Sequence, residues 1–218
     1  YMLESGKPVS DVLMYLGDEQ NHKPPQELDF PEGYSYDYCN PDVLLNRLSV
    51  KDGKMVTPEG ISYSVLWLYD CKRMLPETLD KIRSFVEQGV VLVGEPPTSI
   101  ATLSGGKVKE EHFRKVVETI WGTKDEAIRE IGKGRVYRGE LANALELENI
   151  LPDINVDFSE VRWLHRETND SDIYFLSTPV ESGYKGIVSF RSTGSTESWD
   201  PLTGEITPMS PESSEAGI

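Results

Sequence analysis

Tyr63-Ser64-Val65-Leu66-Trp67-Leu68-Tyr69, followed by Pro76-Glu77-Thr78-Leu79 and then Val90-Val91-Leu92-Val93-Gly94, is the stretch on which the fold turns. The first and last runs are short and apolar, as expected of strands buried on both faces. Between them, Pro76 fits a first helical turn, and Leu79, Ile82, Phe85 and Val86 fall on one helical face before Gly89 ends the pattern. Strand, helix and strand at this spacing predict a parallel pair joined by a right-handed crossover.

The same grammar extends in both directions. Asp11-Val12-Leu13-Met14-Tyr15-Leu16-Gly17-Asp18 is another buried strand closed by Gly and Asp, and residues 19–33, with their prolines and charges, read as an exposed loop. Residues 34–39 form a short strand. Asn40-Pro41-Asp42 then supplies a cap, a Pro at the first helical position and an acid in the first turn, predicting a helix through Leu48. Asp52-Gly53 marks a hairpin over residues 50–56. Further on, Phe113, Val116, Val117, Ile120 and Trp121 make a helical stripe, residues 134–137 a strand, and residues 141–150 a short helix.

This alternation predicts, over residues 1–156, a flavodoxin-like or class I glutamine-amidotransferase-like parallel sheet with flanking helices. After Pro152 the periodicity shortens. Residues 161–166 and 173–177 read as strands around Thr168-Asn169-Asp170, and residues 186–191 as another, so residues 157–218 are expected to form short antiparallel β segments, a partial β-sandwich with a flexible tail from residue 208.

The 218 residues carry a formal charge of −15, with 38% hydrophobic and 27% charged side chains. That supplies enough apolar surface for a core. It argues against nucleic-acid partners and anionic membranes, both of which need clustered Lys and Arg. No apolar run approaches the roughly 20 residues that cross a bilayer. Two cysteines, Cys39 and Cys71, are too few for a disulfide scaffold or a Cys-only zinc site, and each reads as a semi-buried thiol after a strand.

Candidate chemistry is sparse. Cys71 is the one nucleophile at a strand end, but Asp70 and Lys72 flank it where a strained elbow needs small residues. Gly17-Asp18-Glu19-Gln20 puts carboxylates where a cofactor phosphate would sit. Ser104-Gly105-Gly106-Lys107 precedes a helix without the P-loop spacing. His22, His112 and His165 are dispersed, with no ligand pair at helical spacing, and acidic pairs such as Asp18/Glu19 and Glu110/Glu111 read as solvated faces. No catalytic residue, metal ligand or cofactor is therefore assigned. Strand alternation in Arg162-Trp163-Leu164-His165-Arg166 places Trp163 and His165 on one face, packing or a carbohydrate contact being the two readings; Trp199 ends a strand before a Pro-Gly turn and is a third carbohydrate-contact candidate.

Asp11 to Asp18, then Pro31-Glu32-Gly33-Tyr34-Ser35-Tyr36-Asp37 with Asn40-Pro41-Asp42-Val43-Leu44, and Gly60-Ile61-Ser62-Tyr63-Ser64-Val65-Leu66 resemble consecutive blocks of bacterial α-L-rhamnosidase-like enzymes of glycoside hydrolase family 106. The resemblance continues through Met74-Leu75-Pro76-Glu77-Thr78-Leu79, Gly132-Lys133-Gly134-Arg135-Val136, Arg162-Trp163-Leu164-His165-Arg166 and Trp199-Asp200-Pro201-Leu202-Thr203-Gly204-Glu205. It implies a region downstream of a catalytic barrel, an amidotransferase-like domain without its nucleophile, and export to the periplasm or cell surface. It further implies that the partners are other domains of a parent chain and a rhamnose-containing polysaccharide. The alternatives are a carbohydrate-binding module and an independent amidotransferase-like enzyme using Cys71.

Overall fold

The computed structural model describes residues 2–19, 23–102, 104, 106–123, 126–157, 160–181 and 185–210. The chain divides into two compact units. The sheet unit comprises Lys7–Pro31 and Ser35–Ile150; the ribbon unit comprises Tyr1–Gly6, Glu32–Tyr34 and Leu151–Ile218.

Six strands build the centre of the sheet unit: β1 (Val12–Tyr15), β2 (Tyr36–Cys39), β3 (Val65–Leu68), β4 (Val91–Val93), β5 (Ile128–Ile131) and β6 (Gly134–Tyr137). Their order is β5-β6-β4-β3-β1-β2. The five strands from β6 to β2 run parallel, and β5 pairs antiparallel with β6 across Gly132-Lys133. Every residue of β1, β3 and β4 is buried, which explains their uniformly apolar sequences.

Helix α1 (Pro76–Glu87) connects β3 to β4, and α2 (Gly106–Trp121) follows β4. Leu75, held extended by the following Pro76, starts α1, and Gly89 at φ +118° ends it after donating to the Val86 carbonyl. Leu79, Ile82 and Phe85 of α1 join Phe113, Val116 and Ile120 of α2 in one core with Leu13, Leu66, Leu92 and Val136 of the sheet. Each such side chain contributes roughly 1.5–3 kcal/mol by leaving water.

The flavodoxin-like, amidotransferase-like expectation is not met. The sheet is mixed rather than parallel, and small sheets occupy much of the chain around it. The two long helices share one core and hence one face of the sheet. The expected helix at residues 40–48 is a single π-helical turn, Val43–Arg47: Asn40 caps it through Oδ1 at 3.0 Å from the Val43 amide, but Leu48 bonds back to Val43. That wider turn leaves both Leu44 and Leu48 buried, and the Asp52-Gly53 hairpin takes over at once. Ser49–Lys51, Lys54–Val56 and Ser62–Tyr63 make a small antiparallel sheet, its first two strands forming the hairpin expected over residues 50–56. The third α-helix among the described residues, α3 (Leu141–Leu147), is only about two turns long and buries only Leu141, Ala144 and Leu145.

The ribbon unit contains β7 (Ile154–Val156), β8 (Arg162–Glu167), β9 (Asp172–Ser177), β10 (Val188–Phe190), β11 (Thr196–Trp199) and β12 (Ile206–Met209). They pair antiparallel as β7 with β10, β8 with β9, and β11 with β12. The expected partial sandwich is absent among the described residues, because a sandwich needs two buried inner faces, and every residue of β12 is exposed. Gly33 is tied to the start of β7: at φ +77°, a Cβ there would lie 2.2 Å from the Ile154 carbonyl oxygen, so only glycine fits.

Candidate functional site

Open parallel sheets place ligand chemistry at the C-terminal ends of their strands. In the sheet unit that edge is occupied by internal hydrogen bonds. After β1, Gly17 turns the chain at φ +88°, and Asp18 points its carboxylate at the start of α1. Asp18 Oδ1 accepts from the Tyr15 hydroxyl at 2.8 Å and from Thr78 Oγ1 at 2.7 Å, while Oδ2 accepts from the Leu75 amide at 2.8 Å. The acid that would repel a phosphate thus serves a helix N-terminus, where negative charge is stabilised. Burial, reinforced by the Asp18 charge, raises the Tyr15 hydroxyl pKa well above its ordinary value.

Cys71 lies at the same edge, its Sγ 3.5 Å from the carbonyl oxygens of Tyr15 and Tyr69. Burial first, then the charges of Asp18 and Asp70, push its pKa up to about 12. A thiol so placed is protonated at neutral pH and is a poor nucleophile. Cys39 is likewise pushed up to about 12 by burial. Both are free thiols.

The ribbon unit holds the other concentration of polar groups. His165, on β8, is buried and within hydrogen-bond distance of a carboxylate at both ring nitrogens: Nδ1 lies 3.0 Å from Asp153 Oδ1 and Nε2 2.8 Å from Asp172 Oδ1. Its ring stacks on Tyr174, its cross-strand partner, at 4.1 Å between centroids. Arg191 donates to Asp153 Oδ1 at 2.6 Å, and Ser192 Oγ donates to Asp172 Oδ2 at 2.6 Å. Asp153 is 1% exposed, and its Oδ2 has no hydrogen-bond partner among the described residues.

Of the three carbohydrate-contact candidates, Trp163 and His165 share one face of β8, with Trp163 half-buried. Trp199 stands apart on the β11–β12 pair, 51% exposed, its Nε1 donating to Glu197 at 3.1 Å. His112 pairs with Asp80 at 2.7 Å on the surface. His22 and Gly105 of the Ser104-Gly105-Gly106-Lys107 loop lie outside the described residues. Sequence reasoning missed Asp153 and Asp172, because acids beside Pro152 and Ser171 carry the same local signal as ordinary turn residues.

The family model described as alpha-L-rhamnosidase, glycoside hydrolase family 106, matches residues 1–213. Among solved structures, a rhamnosidase from Novosphingobium sp. PP1Y superposes with a TM-score of 0.83 at 26% identity, over 95% of this chain and 21% of that one. A GH42 beta-galactosidase shares the fold at a TM-score of 0.52 and 13% identity, over 91% of this chain and 38% of that one. A protein of Formosa agariphila with the name "Putative beta-glucuronidase" is 31% identical over 214 residues, which are 94% of this chain and 17% of that protein. The chain therefore spans about a fifth of the length of the rhamnosidase and of the Formosa protein.

Proposed function

Given that this chain belongs to the alpha-L-rhamnosidase family, glycoside hydrolase family 106, we propose that it is a non-catalytic accessory region of a larger exported glycoside hydrolase acting on rhamnose-containing polysaccharides. The observation that carries the reading is the use of the sheet's C-terminal edge. Asp18 spends its carboxylate on three internal hydrogen bonds, and Cys71 is held as a thiol, so the two groups best positioned for chemistry are committed to structure. The small share of its relatives' length that the chain spans further supports a part played beside other domains. Export rests on the family alone; no helix among the described residues is long and apolar enough to cross a membrane.

The test is hydrolysis of an aryl α-L-rhamnoside by residues 1–218 and by the longer protein that contains them, with circular dichroism as the check on folding. Turnover is expected only from the longer protein, with kcat unchanged by Cys71→Ser. Turnover by the folded 218-residue chain alone would refute the proposal.

A second reading, a carbohydrate-binding role, is favoured by one observation: the exposed indole of Trp199 beside the exposed Ile206, its partner across the β11–β12 pair. An aromatic face of this kind can stack on a sugar ring. Titration with rhamnose-containing oligosaccharides should quench tryptophan fluorescence and Trp199→Ala should abolish the quenching, whereas a flat response at millimolar sugar removes this reading.

A further inference from the structure

We propose that His165, clamped between the carboxylates of Asp153 and Asp172, is a proton-operated lock on the start of β9 in the ribbon unit. The three residues come from three places: Asp153 immediately precedes β7, His165 lies on β8, and Asp172 opens β9. A carboxylate offers only acceptors, so each ring nitrogen must present an N–H, and a ring bonded to both acids at 3.0 and 2.8 Å is an imidazolium.

The other groups around the ring decide which bond gives way. Arg191, following β10, neutralises Asp153 at the same oxygen that His165 meets, at 2.6 Å; Ser192 holds the far oxygen of Asp172; Tyr174 of β9 covers the ring face. On β8 itself, Arg166 reaches the carbonyls of Ser5 and Gly6, and Glu167 is paired in register with Asp172. Asp153 is 1% exposed and cannot replace a lost donor with water, whereas the Asp172 side chain is 35% exposed and can. When the ring gives one proton to solvent, that proton leaves Nε2. The Nδ1–H bond to Asp153 persists and the Asp172 bond is lost, which frees the start of β9.

The sign follows from the surroundings. Burial works to lower the His165 pKa, but its hydrogen bonds to the Asp153 and Asp172 carboxylates outweigh it and raise the value. The stabilisation is therefore complete below the ordinary histidine value of about 6.5 and is lost as pH rises through the higher folded value. At the acid end, burial would raise the Asp172 pKa, but Ser192 and His165 lower it. Its contribution is present above the ordinary value of about 3.9 and is lost as pH falls through the depressed one.

The experiment is nitrogen NMR of the His165 ring in the full chain across pH, with amide hydrogen exchange corrected for intrinsic base catalysis. The expected result is a doubly protonated ring at pH 6.5, a midpoint above that of an ordinary histidine, and loss of the Nε2 proton. Over the same range the amides of residues 172–177 should exchange several-fold faster while those of residues 65–68 stay constant. His165→Gln should remove the pH dependence, and Asp172→Asn should move the midpoint down towards the ordinary value. A midpoint at or below the ordinary value, or exchange that speeds up equally in both segments, would overturn the proposal.

Discussion

The two units are stabilised by opposite chemistry. In the sheet unit the buried set is overwhelmingly apolar, from Val12 to Leu145, and the buried polar side chains are Ser10 and Thr78. In the ribbon unit the buried set among the described residues is Asp153, Ile154 and His165, two of them ionisable. An apolar core is non-directional and insensitive to pH. A buried ionic cluster is directional, responds to pH, and is strongly destabilised when one member is removed. Two parts of one short chain should therefore fail under different conditions and after different substitutions.

The strongest challenge to that contrast is a core truncation. Trp121 is 1% exposed and its indole donates to the Gly94 carbonyl at 2.8 Å. Trp121→Ala should cost about 3–5 kcal/mol in the sheet unit, read as a lowered guanidinium midpoint with near-ultraviolet circular dichroism. Loss of less than about 1 kcal/mol would mean that the apolar core is not what holds this unit together.

Asp153→Ala leaves His165 and Arg191 without their shared acceptor and should cost roughly 3 kcal/mol, the lower end for breaking a buried ion pair, because Arg191 can still reach solvent. Hydrogen exchange should locate the loss in residues 162–177 and leave residues 65–68 protected. An equal loss in both segments would show that the units are energetically one.

Smaller changes sharpen the picture within the sheet unit. Asp18→Asn removes the charge facing α1 and should cost roughly 1–2 kcal/mol, measured by urea denaturation. Gly53→Ala, in a turn at φ +77° with the Gly89 carbonyl oxygen 3.3 Å from the new Cβ, should cost about 1 kcal/mol by the same measurement. Trp199→Ala, on an exposed strand, should change thermal stability by less than about 0.5 kcal/mol while removing any sugar-dependent fluorescence change.

Much of the sheet unit is legible in the chain, since its signals are local. The apolar runs of β1, β3 and β4, the Pro76 start of α1, the Phe113 to Trp121 stripe and the Asp52-Gly53 turn all lie where periodicity and turn chemistry put them. The edge strand β5 was not legible, because Ile128-Arg129-Glu130-Ile131 is half exposed and its charges mimic a loop. The two faces of the sheet were equally obscure: an amphipathic helix records that one stripe is buried but not against which side.

The site followed the same division. Trp163 and His165 sharing a strand face is a consequence of the two-residue period, and family membership follows from blocks of residues in order. What His165 does there depends on Asp153 and Asp172, which lie 12 and 7 residues away and carry no local mark of burial. The amino-acid order by itself determined strands, helical stripes, turns and family, all set by near neighbours. Only the tertiary structure decided that the sheet is mixed, that its long helices share a face, and that two turn acids close on one imidazole, because burial and electrostatic pairing depend on which distant residues meet.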